Sequence, residues 1–365
     1  MSVSSPAAPA AGAARGVLRL GTRRSALATT QSRWVADRIE AAAASSGLDL
    51  RVELVEVTTH GDVTTAPLSS LGGTGVFVSA LREALLRGDV DLAVHSLKDL
   101  PTGPADGLAL AAVPEREDPR DVLVARGGLT FAARPDGSRI GTGSPRRAAQ
   151  LLAAAREQGR SLVVVDVRGN VDTRLRLVAE GAVDAVVLAR AGLLRLGREA
   201  EATDVLPAEL MVPAPGQGAL AVECRAGDAT VLAALAPLDH EPTRLAVVAE
   251  RALLAAVEAG CAAPLGAYAL PGSGSGSGAA RTLALEAVVA APDGSRVLRR
   301  RIEGRAASPD PVADARALGV RLAGELLADG AAHLIARAAA AAGRPSAVPG
   351  ASSSPRPDAA REGDL

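Results

Sequence analysis

Three sets of residues carry the types and spacing that chemistry needs. The first is a group of arginines beside turns: Arg23, Arg24, Arg146, Arg147, Arg168, Arg174 and Arg195. A guanidinium is a planar fork suited to carboxylate or phosphate. One such arginine is normally a solvated charge, but seven near loop ends point to a small polyanionic ligand. The second is His95-Ser96-Leu97-Lys98-Asp99, which follows a short apolar run. A positive neighbourhood favours the ionised form of Asp99, which could then stabilise a cation or move a proton; the alternative is a loop ion pair with a capping serine. The third is Cys261 in EAGCAAPLG, where glycine and alanines leave room around the sulfur. Cys224, in the strand-like LAVEC, reads instead as a small buried hydrophobe.

Other uses of Cys261 are poorly supported. A Cys/His pair would have to draw on His60, His95, His240 or His333, none in a telling context. There is no CxxC and no clustered histidine, so metal binding is not expected. A covalent attachment point remains.

The elements that must position these residues can be read along the chain. Val17–Gly21 reads as a strand running into TRRS and a helix to about Ala44, and Leu50–Thr58 as another strand. A GGTG loop, 72–75, precedes a helix over Val76–Arg87, and Asp91–His95 is a buried strand. After Pro114–Asp121 the pattern restarts with Arg139–Gly141, TGSPRR and a helix. Leu162–Val167 and Asp184–Ala189 are buried strands around a helix at Val171–Glu180. Arg174, four residues past Asn170, lies about one turn into that helix and can face back to the strand end. This alternation predicts parallel sheets.

GTRRSALATTQ is echoed by GTGSPRRAAQ, and GDVDLAVHSLKDL by GAVDAVVLARAGL, in the same order. The echo predicts two related α/β lobes, each with a Ser- and Arg-bearing strand-to-helix turn. Ser25 and Ser144 would cap the helices whose N-termini favour anions, at the strand ends where such sheets bind ligands. Past Leu238 the style changes. A helix over Pro242–Ala259, a GS-rich loop, a hairpin around Pro292-Asp-Gly294 and a helix over Pro311–Ala328 describe a small α+β third domain. The expected division is a disordered leader at 1–16, a first lobe at 17–115 plus 216–237, a second at 116–215, a third domain at 238–342 and a disordered tail at 343–365.

Bulk properties agree. The chain has 365 residues, 48% of them hydrophobic, which suits two or three domains. A net charge of −1 gives no global field for nucleic acid or membrane. Two cysteines form no disulfide framework and suit a cytosolic protein. No apolar run reaches the about 18 residues of a membrane span. Of 40 basic residues, only Lys98 is lysine. GC-rich coding explains the bias. The survivor is either chance or a position that needs a compact ammonium rather than a fork.

Together the motifs LRLGTRRSALA, HSLKDLP, EREDPRDVLV, IGTGSPRR, VRGNVDTRL, LARAGLLRLG, PAPGQGALAVECR and EAGCAAPLGAY closely resemble the hydroxymethylbilane synthase (porphobilinogen deaminase) family, from about Leu18 to Tyr268 and more weakly beyond. The resemblance implies an α/β fold of three domains, the first two like a periplasmic binding protein. It implies a dipyrromethane cofactor, built from the enzyme's own substrate and attached to Cys261 through a thioether. Four porphobilinogens are then joined head to tail with loss of ammonia, and hydrolysis releases hydroxymethylbilane. Asp99 would be the catalytic carboxylate, stabilising an azafulvene-like cation. Ser96, Lys98, Asp99, Thr142, Ser144, Arg146, Arg147 and Arg168 would bind the cofactor, and Arg23, Ser25, Arg168, Arg174 and Arg195 the substrate. It also implies a cytoplasmic monomer needing no metal, nucleotide, nucleic acid or membrane. The sequence departs from the family where Ser70 and Thr74 replace common lysines and Ala262 a common glutamine. The competing readings are a non-catalytic anion receptor on the same lobes and a cysteine-nucleophile acyl transferase.

Overall fold

The computed structural model of the chain describes residues 16–57, 75–258, 263–271 and 281–342. Cys261, Ala262, His60, Ser70, Thr74, the GS-rich loop and both expected disordered ends up to residue 15 and from 343 lie outside the described residues; Gly16 already belongs to the first strand.

The first lobe holds β1 (Gly16–Thr22), β2 (Leu50–Glu56), β3 (Leu92–Ser96) and β4 (Leu108–Ala112), with α1 (Ala26–Ser45) and α2 (Gly75–Arg87) between them. The second holds β5 (Asp121–Ala125), β6 (Ser138–Gly141), β7 (Leu162–Val165), β8 (Ala185–Ala189) and β9 (Asp204–Leu206), with α3 (Pro145–Glu157), α4 (Val171–Ala179) and α5 (Arg190–Arg195). The chain then returns to the first sheet as β10 (Leu220–Arg225), followed by α6 (Ala229–Leu235). The strand orders are β2-β1-β3-β10-β4 and β7-β6-β8-β5-β9.

The two sheets therefore share one plan. In each, three parallel strands are followed by a strand that runs antiparallel to its neighbours, β10 in one and β5 in the other. This corrects the expectation of parallel sheets. β5 and β10 enter their sheets from the segments that pass between the lobes, not from a strand–helix–strand crossover, and only such crossovers force parallel pairing. The two passing segments touch. Glu117 N donates to Gly218 O at 3.3 Å, and a Cβ on Gly218 would sit 2.4 Å from Glu117 O. With φ at +86°, that position suits only glycine.

Capping explains the helix starts. Ser25, Ser144 and Asn170 accept from the backbone N–H groups of Ala28, Arg147 and Thr173, and Pro145 fills the first position of α3. Burial explains the apolar runs. Val122 and Val124 face one layer while Leu123 and Ala125 face the other, so β5 has no solvent-facing side.

The third sheet, β11 (Leu265–Pro271), β12 (Arg281–Ala290) and β13 (Val297–Ala306), is antiparallel and packs on α7 (Glu241–Ala256), α8 (Pro311–Ala328) and α9 (Ala331–Ala342). It touches both lobes. Val247 of α7 shares a core with Leu97, Leu100 and Val113, and Val288 and Ala290 share one with Ala149 and Val212. The helix α7 spans Glu241–Ala256, stopping short of the expected Ala259.

Candidate active site

The first lobe's edge of the site is the end of β3. Here Leu97–Asp99 forms a single 3-10 turn. Leu97 is fully buried, and its N–H donates to Ala219 O at 3.0 Å. That anchor leaves Asp99 exposed. Lys98 points to Gln217, with Nζ 3.4 Å from Oε1. Part of its side chain is accessible, yet burial pushes the ammonium down to about 8; Asp99 and Asp121 pull it up, and Arg147 and Arg146 press it down. Ser96 Oγ accepts from Gln31 Nε2 at 3.3 Å. Ser25 caps α1 while Arg23 lies half-buried just before it. Arg24 is exposed, 3.4 Å from Glu56.

The second lobe's edge is the turn from β6 into α3. Thr142 is buried, and its Oγ1 accepts from Ser144 N at 3.2 Å. Arg146 and Arg147 follow, both buried, and both bind Asp121, the fully buried first residue of β5. Arg146 Nη1 reaches Asp121 Oδ2 at 2.8 Å and Val212 O at 2.7 Å. Arg147 reaches Oδ1 through Nε at 3.0 Å and Nη2 at 2.8 Å, and Val187 O through Nη1 at 2.9 Å. Gln217 Nε2 adds a bond to Asp121 Oδ1 at 2.9 Å. Burial alone would raise the Asp121 carboxyl, but the two guanidinium groups hold it far below the usual range.

A continuous chain of contacts thus runs from Lys98 of one lobe through Gln217 to Asp121, Arg146 and Arg147 of the other. One buried carboxylate faces two guanidinium groups and, beyond Gln217, an ammonium. Arg174 adds to the excess. Burial lowers it to about 10, helped by Arg147 and Arg168 and opposed by Asp166. Its Nε donates to Gly169 O at 2.9 Å. Arg168 stands exposed, 3.2 Å from Asp166. Arg195 is lowered to about 10 by burial against the pull of Glu117, and donates to Gly218 O at 2.6 Å. The structure therefore places Lys98, Arg146, Arg147 and Arg174 in one electrostatic neighbourhood, sets Arg195 against the passing segment at Gly218, and leaves Arg168 at the rim. Arg146 and Arg147 both commit guanidinium nitrogens to internal partners, Arg146 through Nη1 and Arg147 through Nε, Nη1 and Nη2.

Asp121, Gln217 and Gln31 complete the site without having been singled out from the sequence. Asp121 had a signal, since an acid that opens a wholly apolar strand needs a buried partner. Gln217 had none beyond its place in PAPGQGALAVECR. Among the described residues, no group of three or more His, Cys, Asp and Glu could hold a metal ion.

The profile described as "Porphobilinogen deaminase, dipyromethane cofactor binding domain" matches residues 18–233, and that described as "Porphobilinogen deaminase, C-terminal domain" matches 244–328. The chain belongs to the porphobilinogen deaminase family. It is 54% identical over 319 residues to "Porphobilinogen deaminase 1" of Streptomyces coelicolor, covering 87% of this chain and 97% of that one. It is also 54% identical over 327 residues to "Porphobilinogen deaminase" of Thermobifida fusca, covering 89% and 98%. The lipoprotein Tp32 of Treponema pallidum is a far weaker likeness, with a TM-score of 0.39 at 13% identity over 60% of this chain and 89% of that one. Membership makes the chain a transferase of tetrapyrrole synthesis, and the two lobes are the part of it matched as the dipyrromethane-binding domain.

Proposed function

We propose that the chain is a hydroxymethylbilane synthase that joins four porphobilinogens head to tail and releases the linear tetrapyrrole by hydrolysis. We assign it three domains, 17–115 with 216–237, 116–215 and 238–342. The observation that carries the site assignment is the excess of positive charge between the lobes, where Lys98, Arg146, Arg147 and Arg174 gather about one fully buried carboxylate, Asp121. Lys98, Arg174 and Arg195 are all lowered by burial, so incoming carboxylates would relieve a cost the folded protein already bears. A ligand with an acetate and a propionate on every ring fits that need.

The dipyrromethane fits the same donors. Ser96, Lys98, Asp99, Thr142, Ser144, Arg146, Arg147 and Arg168 would hold it, and Cys261 would anchor it as a thioether. When bound, it supplies the free pyrrole α-carbon from which the chain grows. Arg23, Ser25, Arg168, Arg174 and Arg195 would hold the carboxylates of the incoming porphobilinogen. Asp99, exposed beside Lys98, is the carboxylate free to face the reacting ring. It would stabilise the positive charge that develops as ammonia leaves, accept the pyrrole N–H groups, and hold the proton lost when the new carbon–carbon bond forms. Among the described residues no helix is long and apolar enough to cross a membrane; we infer a cytoplasmic monomer that needs neither metal nor nucleic acid.

Intact mass tests the reading. The purified protein should exceed its sequence mass by one dipyrromethane, and Cys261→Ser should lose that increment together with activity. An active protein at its bare sequence mass would overturn the assignment.

A further inference from the structure

The turn that carries Lys98 and Asp99 is too short to hold itself. A single 3-10 turn has weak internal hydrogen bonding; here it is closed by Leu100 N donating to Leu97 O at 3.1 Å. The carbonyls that flank the Lys98–Asp99 pair are also held from the third domain. Arg251, on α7, donates through Nη1 to Leu97 O at 3.3 Å and Leu100 O at 2.9 Å, and through Nη2 to Pro101 O at 2.6 Å. One guanidinium therefore grips the backbone on both sides of the Lys98–Asp99 pair. A cation at the C-terminal end of a helical turn is also favoured by the alignment of the peptide dipoles.

Arg251 is itself well fixed. Val247, one helical turn earlier on the same face, packs in the core that contains Leu97 and Leu100. The preceding residue, Glu250, is fully buried and binds Arg116 at 2.6 and 3.1 Å, Gly216 N at 2.6 Å and Ala269 N at 2.9 Å. So α7 is locked to the passing segments at Glu250 and to the Asp99 turn at Arg251.

We propose that Arg251 is a positioning residue, which ties the Asp99-bearing turn of the first lobe to α7 of the third domain so that the carboxylate keeps a fixed place. The proposal rests on the role given above to Asp99. Arg251 reaches the reaction only through the backbone it holds.

Two readouts test it, taken on the full-length protein. The first is steady-state kinetics of Arg251→Gln and Arg251→Lys, expressed per molecule that carries the dipyrromethane mass. Loading should persist in both. For Arg251→Gln, kcat should fall about tenfold or more while KM stays within about threefold, since an aligned reacting group is lost rather than a binding arm. Arg251→Lys, which can reach some of the three carbonyls, should recover part of the loss. The second readout uses the fact that Lys98 is the only lysine in the chain. With 13Cε-lysine the protein shows one lysine side-chain signal. Its titration, set by burial and by the distances to Gln217, Arg146, Arg147, Asp121 and Asp99, should differ between wild type and Arg251→Gln at equal loading, as the turn slips from that setting.

Wild-type kcat per loaded molecule in Arg251→Gln would overturn the proposal, as would a kcat loss with an unmoved Lys98 titration. If Arg251→Gln does not fold, Arg251→Lys carries the same test with a smaller expected change, and no change in either readout would again overturn it. A wild type without the dipyrromethane mass would defeat the functional reading instead, while the Lys98 titration would still report on the grip of Arg251.

Discussion

Asp99 and Asp121 sit at corresponding edges of two lobes built on one strand plan, and they are treated in opposite ways. Asp121 is fully buried and receives two arginines and a glutamine. Asp99 is exposed beside a lysine whose ammonium is turned towards Gln217. The strand-to-helix turns differ in the same sense. In the second lobe, Arg146 and Arg147 fold inward onto Asp121; in the first, Arg23 is half-buried and Arg24 is exposed. A carboxylate saturated by internal partners can only hold structure. One left open beside a buried ammonium can meet a developing positive charge. On the proposed reading, the duplicated plan separates a supporting edge from a reacting edge, and the contrast can be broken by substitution.

The largest effect is expected at the supporting edge. Asp121→Asn leaves two buried guanidinium groups short of a counter-charge and should cost about 3–5 kcal/mol, read as a fall in the midpoint of denaturant unfolding. It should also change the acid response. A carboxylate with a depressed folded pKa contributes stability above its unfolded pKa of about 4 and loses it as pH falls towards the folded value. Glu223 and Asp91 share that window. Burial would raise both, but His95 and Arg82 hold Glu223 at about 2, and Arg19 and Arg225 hold Asp91 at about 2. Wild-type stability should therefore drop steeply below about pH 4, and the drop should be shallower in Asp121→Asn.

Lys98 should behave in the reverse sense. Its folded pKa, about 8, lies below the ordinary lysine value, so the folded state resists the proton that the unfolded chain binds. Stability linked to this group is lowest below pH 8 and rises as pH climbs towards 10. Lys98→Met should gain about 1–2 kcal/mol at neutral pH, allowing for partial solvent screening, while activity is lost. A destabilised Lys98→Met would show that the ammonium supports the fold and would weaken the contrast between the edges.

The smallest effect sharpens what the lobes share. Ser25→Ala and Ser144→Ala each remove a helix cap and should each cost about 1 kcal/mol in thermal or denaturant unfolding. A cost confined to one of them would mean that the matching turns are alike in sequence only.

Much of this arrangement was legible in the sequence. Serine caps before apolar-periodic runs marked α1 and α3, and the hairpin around Asp293-Gly294 marked β12 and β13, because such signals are local. The antiparallel β5 and β10 were not, since their partners lie in stretches distant along the chain and nothing in DVLVA or LAVEC states a direction. At the site, Lys98, Asp99 and the arginines could be picked by type and position. Their pairing could not, because Asp121 meets Arg146 and Arg147 only through the sheet order. Arg251 looked like any charged residue on an amphipathic helix, and only the packing of α7 against Leu97 and Leu100 brings it to the turn.

The central claim is that Asp99 does the chemistry and Asp121 the holding, and ammonia release by Asp99→Asn tests it most directly. Counted per molecule bearing the dipyrromethane mass, release should fall by about 10²–10⁴, with an unfolding midpoint close to that of the wild type. Release near the wild-type rate, or a loss of stability matching that of Asp121→Asn, would contradict it.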